Sequence, residues 1–352
     1  MTSVPAVVLG ATGYVGGELL RLIAAHPLFD LAAAVSESCA GKPVSETFPH
    51  LAGACDDTPF AAHGTWLDGI AANSPLALFS AAPHGASAAM IATVLEQAQA
   101  RGIDVHTVDV SADFRYRDAA AYEAVYGAGH GAPQLLGDFV CAVPEHLADT
   151  DTQHVAHPGC FATAILLAAV PLLQSGFVAP ELFVTGVTGS TGSGRTPQAG
   201  THHPERHSNL YAYKALAHRH APEIVNLAET ASGTRARINF VPHSGPFARG
   251  IFATVQAKAA GEVSVAALRE YFESRYADAP FVRIVDGSPK LKNVVASNMA
   301  ELAIAHSGDT VVVMSAIDNL VKGAAGGAMQ WMNRLFGQPD TAGLTAIPPG
   351  WT

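Results

Sequence analysis

The stretch "VVLGATGYVGGELL", residues 7–20, places Gly10, Gly13 and Gly16 between an apolar strand-like run and an amphipathic helix-like run. Their G-x-x-G-x-x-G spacing suits a turn that bends tightly, brings the backbone close to a pyrophosphate and packs a helix on a strand. The N-terminus of that helix adds N–H groups and a partial positive charge for the anion. The stretch therefore predicts a dinucleotide-binding turn. The predicted cofactor contacts are Gly10, Thr12, Gly13, Tyr14, Val15 and Gly16.

Polar residues after the second strand-like run bear on the choice of cofactor. The segment "AAAVSESCAGK", residues 32–42, offers the hydroxyls of Ser36 and Ser38 and the cation of Lys42 to a 2′-phosphate. An acidic residue at this point usually binds the ribose hydroxyls of NAD. Glu37 leaves that alternative open, but the segment as a whole favours NADP.

Strand-like and helix-like runs alternate over the first 150 residues. The runs 6–9, 31–35, 76–80 and 105–110 are short and aliphatic, and amphipathic helix patterns cover 16–27 and 85–102. This alternation predicts parallel βαβ units. We therefore expect an α/β protein whose residues 1–150 form a Rossmann-type, NADP-binding domain.

The second half of the chain has longer strand-like runs and fewer helices. Residues 181–190, 235–245, 250–259 and 310–318 are predicted strands, and 264–278 a predicted helix. These features predict an α+β catalytic and oligomerisation domain over 151–319, with a mixed or antiparallel sheet. The tail is helix-like from about Gly323, so residues 320–352 are expected to complete the first domain.

Composition excludes several classes of partner. The net charge is −10 with only 20 Lys and Arg residues, so no nucleic-acid partner is expected. The longest apolar run, residues 162–173, is too short for a membrane span and contains Pro171. The N-terminus has no export-signal pattern and the four cysteines form no CxxC pair, which predicts reduced thiols in the cytoplasm.

One cysteine has a reactive setting. In "HPGCFATAILLAAV", residues 157–170, a Pro-Gly turn precedes Cys160 and an apolar helix pattern follows it. A helix N-terminus favours the thiolate, and its N–H groups can hold an oxyanion formed next to the sulfur. Cys160 is therefore a candidate nucleophile rather than only a packed side chain.

A nucleophile of this kind needs a proton acceptor, and "YKALAHRHAPEI", residues 213–224, supplies candidates. Pro222 suits the first turn of a helix, which puts His220 near a helix start, where a neutral imidazole is favoured. His218 is the alternative base, and the spacing does not separate the two. Glu223 is positioned to orient one of the rings.

The segment "GTHHPERHS", residues 200–208, raises the question of a metal site. His202, His203 and His207 are close in sequence, but no carboxylate or thiol has matching short spacing. No metal is expected.

Anion contacts are predicted from two other segments. "VTGSTGSGRTPQ", residues 187–198, is a glycine-rich loop in which Ser190 and Arg195 can hold a phosphate or carboxylate. Arg115, at the end of "VSADFR", residues 110–115, is a second candidate for the same task.

Taken together, these segments resemble the N-acetyl-gamma-glutamyl-phosphate reductases, a family of arginine biosynthesis, over nearly the whole chain. The resemblance is carried by "GATGYVGGELLRLIAAHP", "AGKPVSETFPHLAG", "HPGCFATA", "GSTGSGR", "HRHAPEI", "FVPHSGPFARGIFATV" and "DNLVKGAAGGAMQWMN". It implies that Cys160 is acylated and that the HRH segment is the acid/base element. It also implies that Asn319 contacts the nicotinamide end of NADP, and that Gly192 lies among the cofactor or phosphate contacts.

Two departures concern the substrate. The family usually has Tyr-Pro or Phe-Pro after the cysteine, where Phe161-Ala162 stands here. "GTHHPERHSNLYAYK" resembles a subgroup that includes the aminoadipyl-phosphate reductases of lysine biosynthesis, whose substrate is carried on an amino-group carrier protein. The length of the acyl phosphate and its N-blocking group therefore stay open.

The resemblance implies NADPH-dependent reduction of N-acetyl-gamma-glutamyl phosphate, a small acyl phosphate, through a cysteine thioester. Carrier-bound aminoadipyl phosphate is the alternative substrate. Less favoured alternatives are an aspartate-semialdehyde dehydrogenase and a non-catalytic NADP-binding sensor on the same fold. A homodimer or homotetramer is expected, because a mixed sheet can pair across a two-fold axis.

Overall fold

The chain folds into two units, each assembled from separate segments of the sequence. The computed structural model describes residues 3–55 and 58–351. The first unit takes its residues from 1–142, 149–157 and 324–345, and the second from 143–148, 158–323 and 346–352. Each unit is built around one sheet.

The first unit contains a seven-stranded sheet in which all paired strands are parallel. Its strands are β1 (Val4–Leu9), β2 (Phe29–Val35), β3 (Phe60–Ala61), β4 (Pro75–Ser80), β5 (Asp104–Asp109), β6 (Phe139–Cys141) and β7 (His154–Ala156). The order is β3-β2-β1-β4-β5-β7-β6. The order reverses between β1 and β4, and in a doubly wound sheet a ligand binds at the carboxyl ends of the strands at such a point.

Helices join these strands and bury their apolar faces. They are α1 (Tyr14–Ala24), α2 (Val44–Thr47), α3 (Ser87–Gln99) and α4 (Ala119–Tyr126). Ile91 and Val94 of α3 join Leu9, Leu78 and Phe139 of the strands in one buried apolar cluster. This burial fixes the ends of β1 and β4, where the glycine-rich turn lies.

The second unit contains a second seven-stranded sheet, which is mixed. Its helices and strands, in chain order, are α5 (Cys160–Gln174), β8 (Val178–Thr188), α6 (His203–Arg206), β9 (Tyr211–Ala212), α7 (His220–Ser232), β10 (Arg237–Ser244), β11 (Ile251–Ala259), α8 (Val265–Arg275), β12 (Val282–Ile284), β13 (Ala300–Ser307) and β14 (Thr310–Ile317). The order is β12-β13-β14-β11-β8-β10-β9. The pairs β8/β10 and β12/β13 are parallel, and the other pairs are antiparallel.

Helix α5 is the central helix of this unit. It packs on β8, β11 and β14, and on α7 and α8. Every residue from Phe161 to Leu173 is buried, which is why its sequence is apolar on all sides. Within residues 3–55 and 58–351, no helix combines the length and hydropathy of a membrane span.

The chain after β14 passes through a π-helical turn, Val321–Ala325, into helix α9 (Gly326–Leu335). Helix α9 packs on α1 and β5. Trp331 donates its indole N–H to the carbonyl of Ala142 at 2.9 Å, and Asn333 Oδ1 lies 2.9 Å from His26 Nε2. Residues from the end of the chain thus contribute to the core of the first unit.

A buried ion pair anchors the π turn within the second unit. Lys322 is fully buried and its Nζ lies 2.5 Å from Glu145 Oε1. Glu145 belongs to the short segment 143–148. This segment is part of the second unit, although the residues before and after it in the sequence belong to the first. Two charges held this far from water depend on each other, since loss of one leaves the other without its counterion.

The predicted fold class is confirmed, and so are the elements on which it rested. The predicted strands 6–9, 31–35, 76–80 and 105–110 correspond to β1, β2, β4 and β5, with ends shifted by one or two residues. The predicted strands of the second half correspond to β8, β10, β11 and β14, and the predicted helix to α8. Strands β3, β6, β7, β9, β12 and β13 were not predicted, and the tail helix begins as a π turn at Val321. The functional domains expected over 1–150, with 320–352, and over 151–319 stay a prediction.

Candidate active site

The glycine-rich turn lies where the strand order reverses. Gly10 has φ +68°, and a Cβ there would lie 2.5 Å from Ala82 Cα, so only glycine fits between the ends of β1 and β4. Gly16 is equally restricted, since its Cβ would lie 2.5 Å from the carbonyl oxygen of Ala11. At Gly13 a Cβ would meet nothing closer than 3.9 Å. Here the missing side chain leaves room in front of the N-terminus of α1, as a pyrophosphate requires.

Hydroxyl groups gather beside this turn. Ser36 Oγ lies 3.5 Å from Thr12 Oγ1 and 3.4 Å from Ser38 Oγ, and Lys42 is exposed close by in sequence. The carboxylate of Glu37 makes a different contact, because its Oε2 accepts the backbone N–H of His63 at 3.0 Å. Tyr14 is 37% exposed and Val15 half-buried at the start of α1. These residues fit a dinucleotide, with α1 for the pyrophosphate and the serines for the ribose.

Cys160 is the first residue of α5 and is a half-buried cysteine outside any disulfide. The N-cap residue, Gly159, is in extended conformation and has no side chain with which to cap the helix. The N-terminus of a helix directs backbone N–H groups and a partial positive charge to this position, which suits an oxyanion formed on a carbon next to the sulfur.

Gly323, in the π turn, closes one side of the cysteine. A Cβ on Gly323 would lie 2.7 Å from Cys160 Cβ and 3.0 Å from its Cα. The backbone of the π turn thus packs directly on Cys160, the candidate nucleophile, and π turns are frequent at functional sites. The sequence did not single out Gly323, and nothing in its local pattern distinguishes it from the other glycines of "KGAAGG".

The two histidines of the HRH segment lie against the residue after the cysteine. The ring of Phe161 is 5.8 Å from that of His218 and 6.4 Å from that of His220, centroid to centroid. His220 is the first residue of α7, and both rings are largely buried. The structure therefore places both histidines against the residue that follows Cys160, and their roles in catalysis stay a prediction.

The two histidines differ in their chemistry. His218 Nδ1 accepts the backbone N–H of His220 at 3.2 Å, so its ring proton lies on Nε2 in the neutral form. Burial, together with the nearby cations of Arg219 and Lys214, lowers the pKa of His218 to about 4. His218 is thus neutral near pH 7 and poorly matched to proton exchange there.

This buried neutral ring predicts an acid-sensitive fold. Between the ordinary pKa of 6.5 and the lowered value of about 4, the unfolded chain binds a proton that the folded chain excludes. The contribution of His218 to the free energy of unfolding is therefore at its full value above pH 6.5, and it falls as the pH drops toward 4. Urea unfolding at pH 7.5 and 5.5 should show a smaller loss in His218→Asn than in the unaltered protein. An equal loss in both would contradict the burial of a neutral His218.

Glu223 forms a hydrogen bond with the turn that precedes Cys160. Its Oε1 accepts the backbone N–H of Gly159 at 2.7 Å, and the side chain is almost completely buried. This bond ties the first turn of α7 to the residue that precedes Cys160. Orientation of a histidine ring by Glu223 stays a prediction.

The glycine-rich loop and Asn319 are joined by hydrogen bonds. Asn319 donates its amide N–H to Thr191 Oγ1 at 3.0 Å and accepts the N–H of Gly250 at 2.7 Å. Ser190 is half-buried, while Gly192 and Arg195 are exposed. The loop is thus fixed at its start and open at Arg195. Contact of Asn319 with a nicotinamide stays a prediction.

Arg115 belongs to the first unit. It is 8% exposed and donates to the carbonyls of His157 at 3.2 Å and Val110 at 3.0 Å. Two of its donors hold backbone, so its predicted role in anion binding stays a prediction.

The histidine-rich segment forms no metal site among the described residues. His203 and His207 have ring centroids 5.1 Å apart, but no group of three or more His, Cys, Asp or Glu side chains in residues 3–55 and 58–351 is arranged to hold an ion.

Comparisons with known proteins agree with this geometry. Residues 5–153 match the family model of the semialdehyde dehydrogenase NAD binding domain, and residues 160–319 match that of the semialdehyde dehydrogenase dimerisation domain. The N-acetyl-gamma-glutamyl-phosphate reductase of Rhodopirellula baltica is 38% identical over 346 residues, which cover 96% of each chain. That of Nitrosococcus oceani is 40% identical over 352 residues, which cover 97% of this chain and 98% of the relative.

A solved structure shows the same fold at much lower identity. The aspartate semialdehyde dehydrogenase of Candida albicans, determined with NADP, has a TM-score of 0.65 and 16% identity, covering 96% of this chain and 99% of that chain. The resemblance drawn from the sequence motifs is confirmed by the full-length relatives. The chain is an oxidoreductase with a nicotinamide-dinucleotide-binding domain, and it belongs to the N-acetyl-gamma-glutamyl-phosphate reductase family.

Proposed function

We propose that the protein reduces N-acetyl-gamma-glutamyl phosphate to N-acetyl-glutamate 5-semialdehyde and phosphate, with NADPH as the reductant. The observation that carries the proposal is the position of Cys160 at the N-terminus of α5, where the next residue, Phe161, packs against a pair of buried histidines. The names of the relatives supply the substrate.

In the proposed reaction Cys160 attacks the acyl carbon and phosphate leaves, which forms a thioester. His220 takes the thiol proton during the attack and passes it to the departing phosphate. The first-turn N–H groups of α5 hold the oxyanion at the acyl carbon. When bound, NADPH supplies the hydride that brings the acyl group to the aldehyde level. Collapse of the resulting thiohemiacetal oxyanion releases the aldehyde and the Cys160 thiolate. The thiolate takes up one proton from solvent through His220, which restores the starting thiol, so one difficult displacement is divided into two easier steps.

The activity is tested in the reverse direction, as phosphate-dependent reduction of NADP⁺. N-acetyl-glutamate 5-semialdehyde should be the preferred substrate over aspartate semialdehyde. A carrier-bound aminoadipate semialdehyde is the third arm, because "GTHHPERHSNLYAYK" resembles reductases of that substrate. Turnover of the third substrate alone would transfer the proposal to lysine biosynthesis, and absence of all three activities would favour a non-catalytic sensor.

We infer that NADP, rather than NAD, is the cofactor. Glu37, the residue most suited to the ribose hydroxyls of NAD, is held by the N–H of His63. The hydroxyls of Ser36 and Ser38 and the exposed Lys42 are the groups that suit a 2′-phosphate. The Candida albicans structure with NADP is consistent with this choice.

Lys42→Glu is expected to reverse part of the cofactor preference. It replaces a cation with an anion beside the 2′-phosphate, so kcat/KM with NADPH should fall by roughly 10–100-fold while that with NADH changes by no more than about threefold. Steady-state rates with both cofactors measure this. Lys258→Glu, on the surface of β11, is the matched control and should leave the ratio unchanged. An equal fall with both cofactors would contradict the assignment.

We further propose that the protein is a homodimer formed through the second sheet. The face of that sheet opposite α5 carries Phe183, Phe252 and Met314, and Phe183 is 54% exposed. The match to a dimerisation domain over 160–319 supports this face as the interface. Sedimentation as a monomer at micromolar concentration would contradict it. The carrier-protein partner and the cytoplasmic location stay predictions.

A further inference from the structure

Arg206 is a buried cation that the proposed mechanism does not use. It closes α6 in the segment "GTHHPERHS" and is only 7% exposed. Nη1 donates to Ser244 Oγ at 2.7 Å and Nη2 donates to the carbonyl of Gly245. Both acceptors are neutral. The buried Nε has no acceptor, and no carboxylate pairs with this guanidinium, among residues 3–55 and 58–351.

Burying the charge of Arg206 without a counterion lowers the stability of the fold unless an anion from outside the chain binds to it. A buried charge is normally paired, because neutral acceptors replace only part of its hydration. Arg249 in the same unit shows the usual solution, since its guanidinium pairs with the buried Asp318 at 2.9 Å. Arg206 differs in keeping a donor and its full charge available, and a guanidinium matches a carboxylate in shape and charge.

Arg206 lies at the strand ends that carry the candidate active site. Ser244, its anchor, is in register with Thr188, Thr188 with Ile251, and Ile251 with Ile317. At the far end of this row, a Cβ on Gly323 would lie 3.3 Å from Ile317 and 2.7 Å from Cys160 Cβ. Ser244, which anchors Arg206, and Ile317, which lies next to Gly323, are thus the two ends of one row across four neighbouring strands, and this row is about 14 Å long.

Tyr213 gives a second link between the two. Its ring lies 5.5 Å from that of His218, centroid to centroid. Burial raises the pKa of Tyr213 to about 12; the Cys160 thiolate adds to the rise and the Arg206 cation opposes it. Arg219 also opposes the rise, so the pKa of Tyr213 is sensitive to the charges of Cys160, Arg219 and Arg206.

We propose that Arg206 binds the α-carboxylate of the substrate and thereby selects acyl phosphates that carry one. The inference rests on the proposed function, and it applies to the glutamyl and aminoadipyl substrates alike, since both retain that carboxylate. The carboxylate is favoured over the phosphate because phosphate must leave in every turnover, which suits the exposed Arg195 better. The carboxylate stays bound through both half-reactions, which suits a buried, fixed cation.

The test compares two aldehydes that differ only in this group, N-acetyl-glutamate 5-semialdehyde and 4-acetamidobutanal. The unaltered protein should prefer the first by about 10²–10³-fold in kcat/KM, as expected for a buried charge-assisted contact. In Arg206→Met the preference should shrink to within about tenfold, through loss of activity on the carboxylate substrate alone. The KM for phosphate should change by no more than about twofold.

A conservative variant of Arg206 and a variant of a surface arginine at a different place serve as controls. Arg206→Lys keeps the charge without the planar fork and should show an intermediate preference, which covers the case that Arg206→Met does not fold. Arg269 lies on α8 and pairs with Glu273 of the same helix and with Asp286. Its replacement in Arg269→Met should leave the preference unchanged.

Equal losses on both aldehydes in the Arg206 variants would overturn the proposal, because a purely structural arginine affects both alike. A rise confined to the KM for phosphate would overturn the assignment to the carboxylate. Failure of the unaltered protein to oxidise N-acetyl-glutamate 5-semialdehyde would instead refute the proposed function, so the two failures are distinguishable.

Discussion

Replacing Cys160 by serine is expected to lower kcat by about 10³-fold or more while NADPH binding stays within about twofold. Serine keeps the size of the side chain at the start of α5 but not the thiolate that forms the thioester. Because hydride transfer follows acylation, both directions of the reaction should be affected. Stopped-flow mixing with the acyl phosphate should show a burst of phosphate in the unaltered protein and none in Cys160→Ser.

Cys141→Ser is the matched control for this experiment. Cys141 is also a half-buried free cysteine, but it lies in β6 of the first unit, away from any helix start. Its replacement should leave turnover and the phosphate burst intact, and iodoacetamide should inactivate Cys141→Ser as fast as the unaltered protein. Near-normal turnover by Cys160→Ser would refute thioester chemistry.

His220→Asn is expected to reduce kcat by about 10²–10⁴-fold, the usual range for loss of a general acid–base group. The variant should also lose the limb of the pH–rate profile that reports the base, while KM for the acyl phosphate changes little. Asparagine preserves the polarity of the position at the start of α7 but cannot exchange a proton.

His218→Asn separates the two histidines. Its ring is neutral down to a pKa of about 4, and its Nδ1 is occupied by the N–H of His220. The variant should retain the shape of the pH–rate profile and lose less than about tenfold in kcat. If His218→Asn proved the more damaging change, the acid–base role would pass to His218.

Local patterns were sufficient for the elements that carry the fold. The turn at residues 10–16 could be predicted from its glycines, because the backbone conformation at Gly10 and the close contact at Gly16 leave no room for a side chain. Cys160 was readable because a Pro-Gly turn before an apolar run marks a helix start, and α5 begins at that residue. In both cases the cause lies within a few neighbouring residues.

Interactions between distant segments could not be read in this way. Glu223 binds the N–H of Gly159, 64 residues earlier, and Glu145 pairs with Lys322, 177 residues later. Arg206 was seen only as part of a histidine-rich segment, since its hydrogen-bond partners are Ser244, the last residue of β10, and Gly245, which follows it. Strand β13 escaped because its "AELAIAHS" pattern is ambiguous until β14 pairs with it.

The interleaving of the two units has a consequence for how the protein is made. Domains commonly fold as they emerge from the ribosome, starting with the N-terminal one. Here Trp331 and Asn333 of α9 bond to Ala142 and His26, so the first unit lacks part of its core until these residues of α9 have been synthesised. The second unit is incomplete for a similar reason, because Glu145 is synthesised 177 residues before its partner Lys322. Apolar faces of both units therefore stay uncovered while the intervening residues are synthesised, and a chaperone that shields them should raise the yield of folded protein.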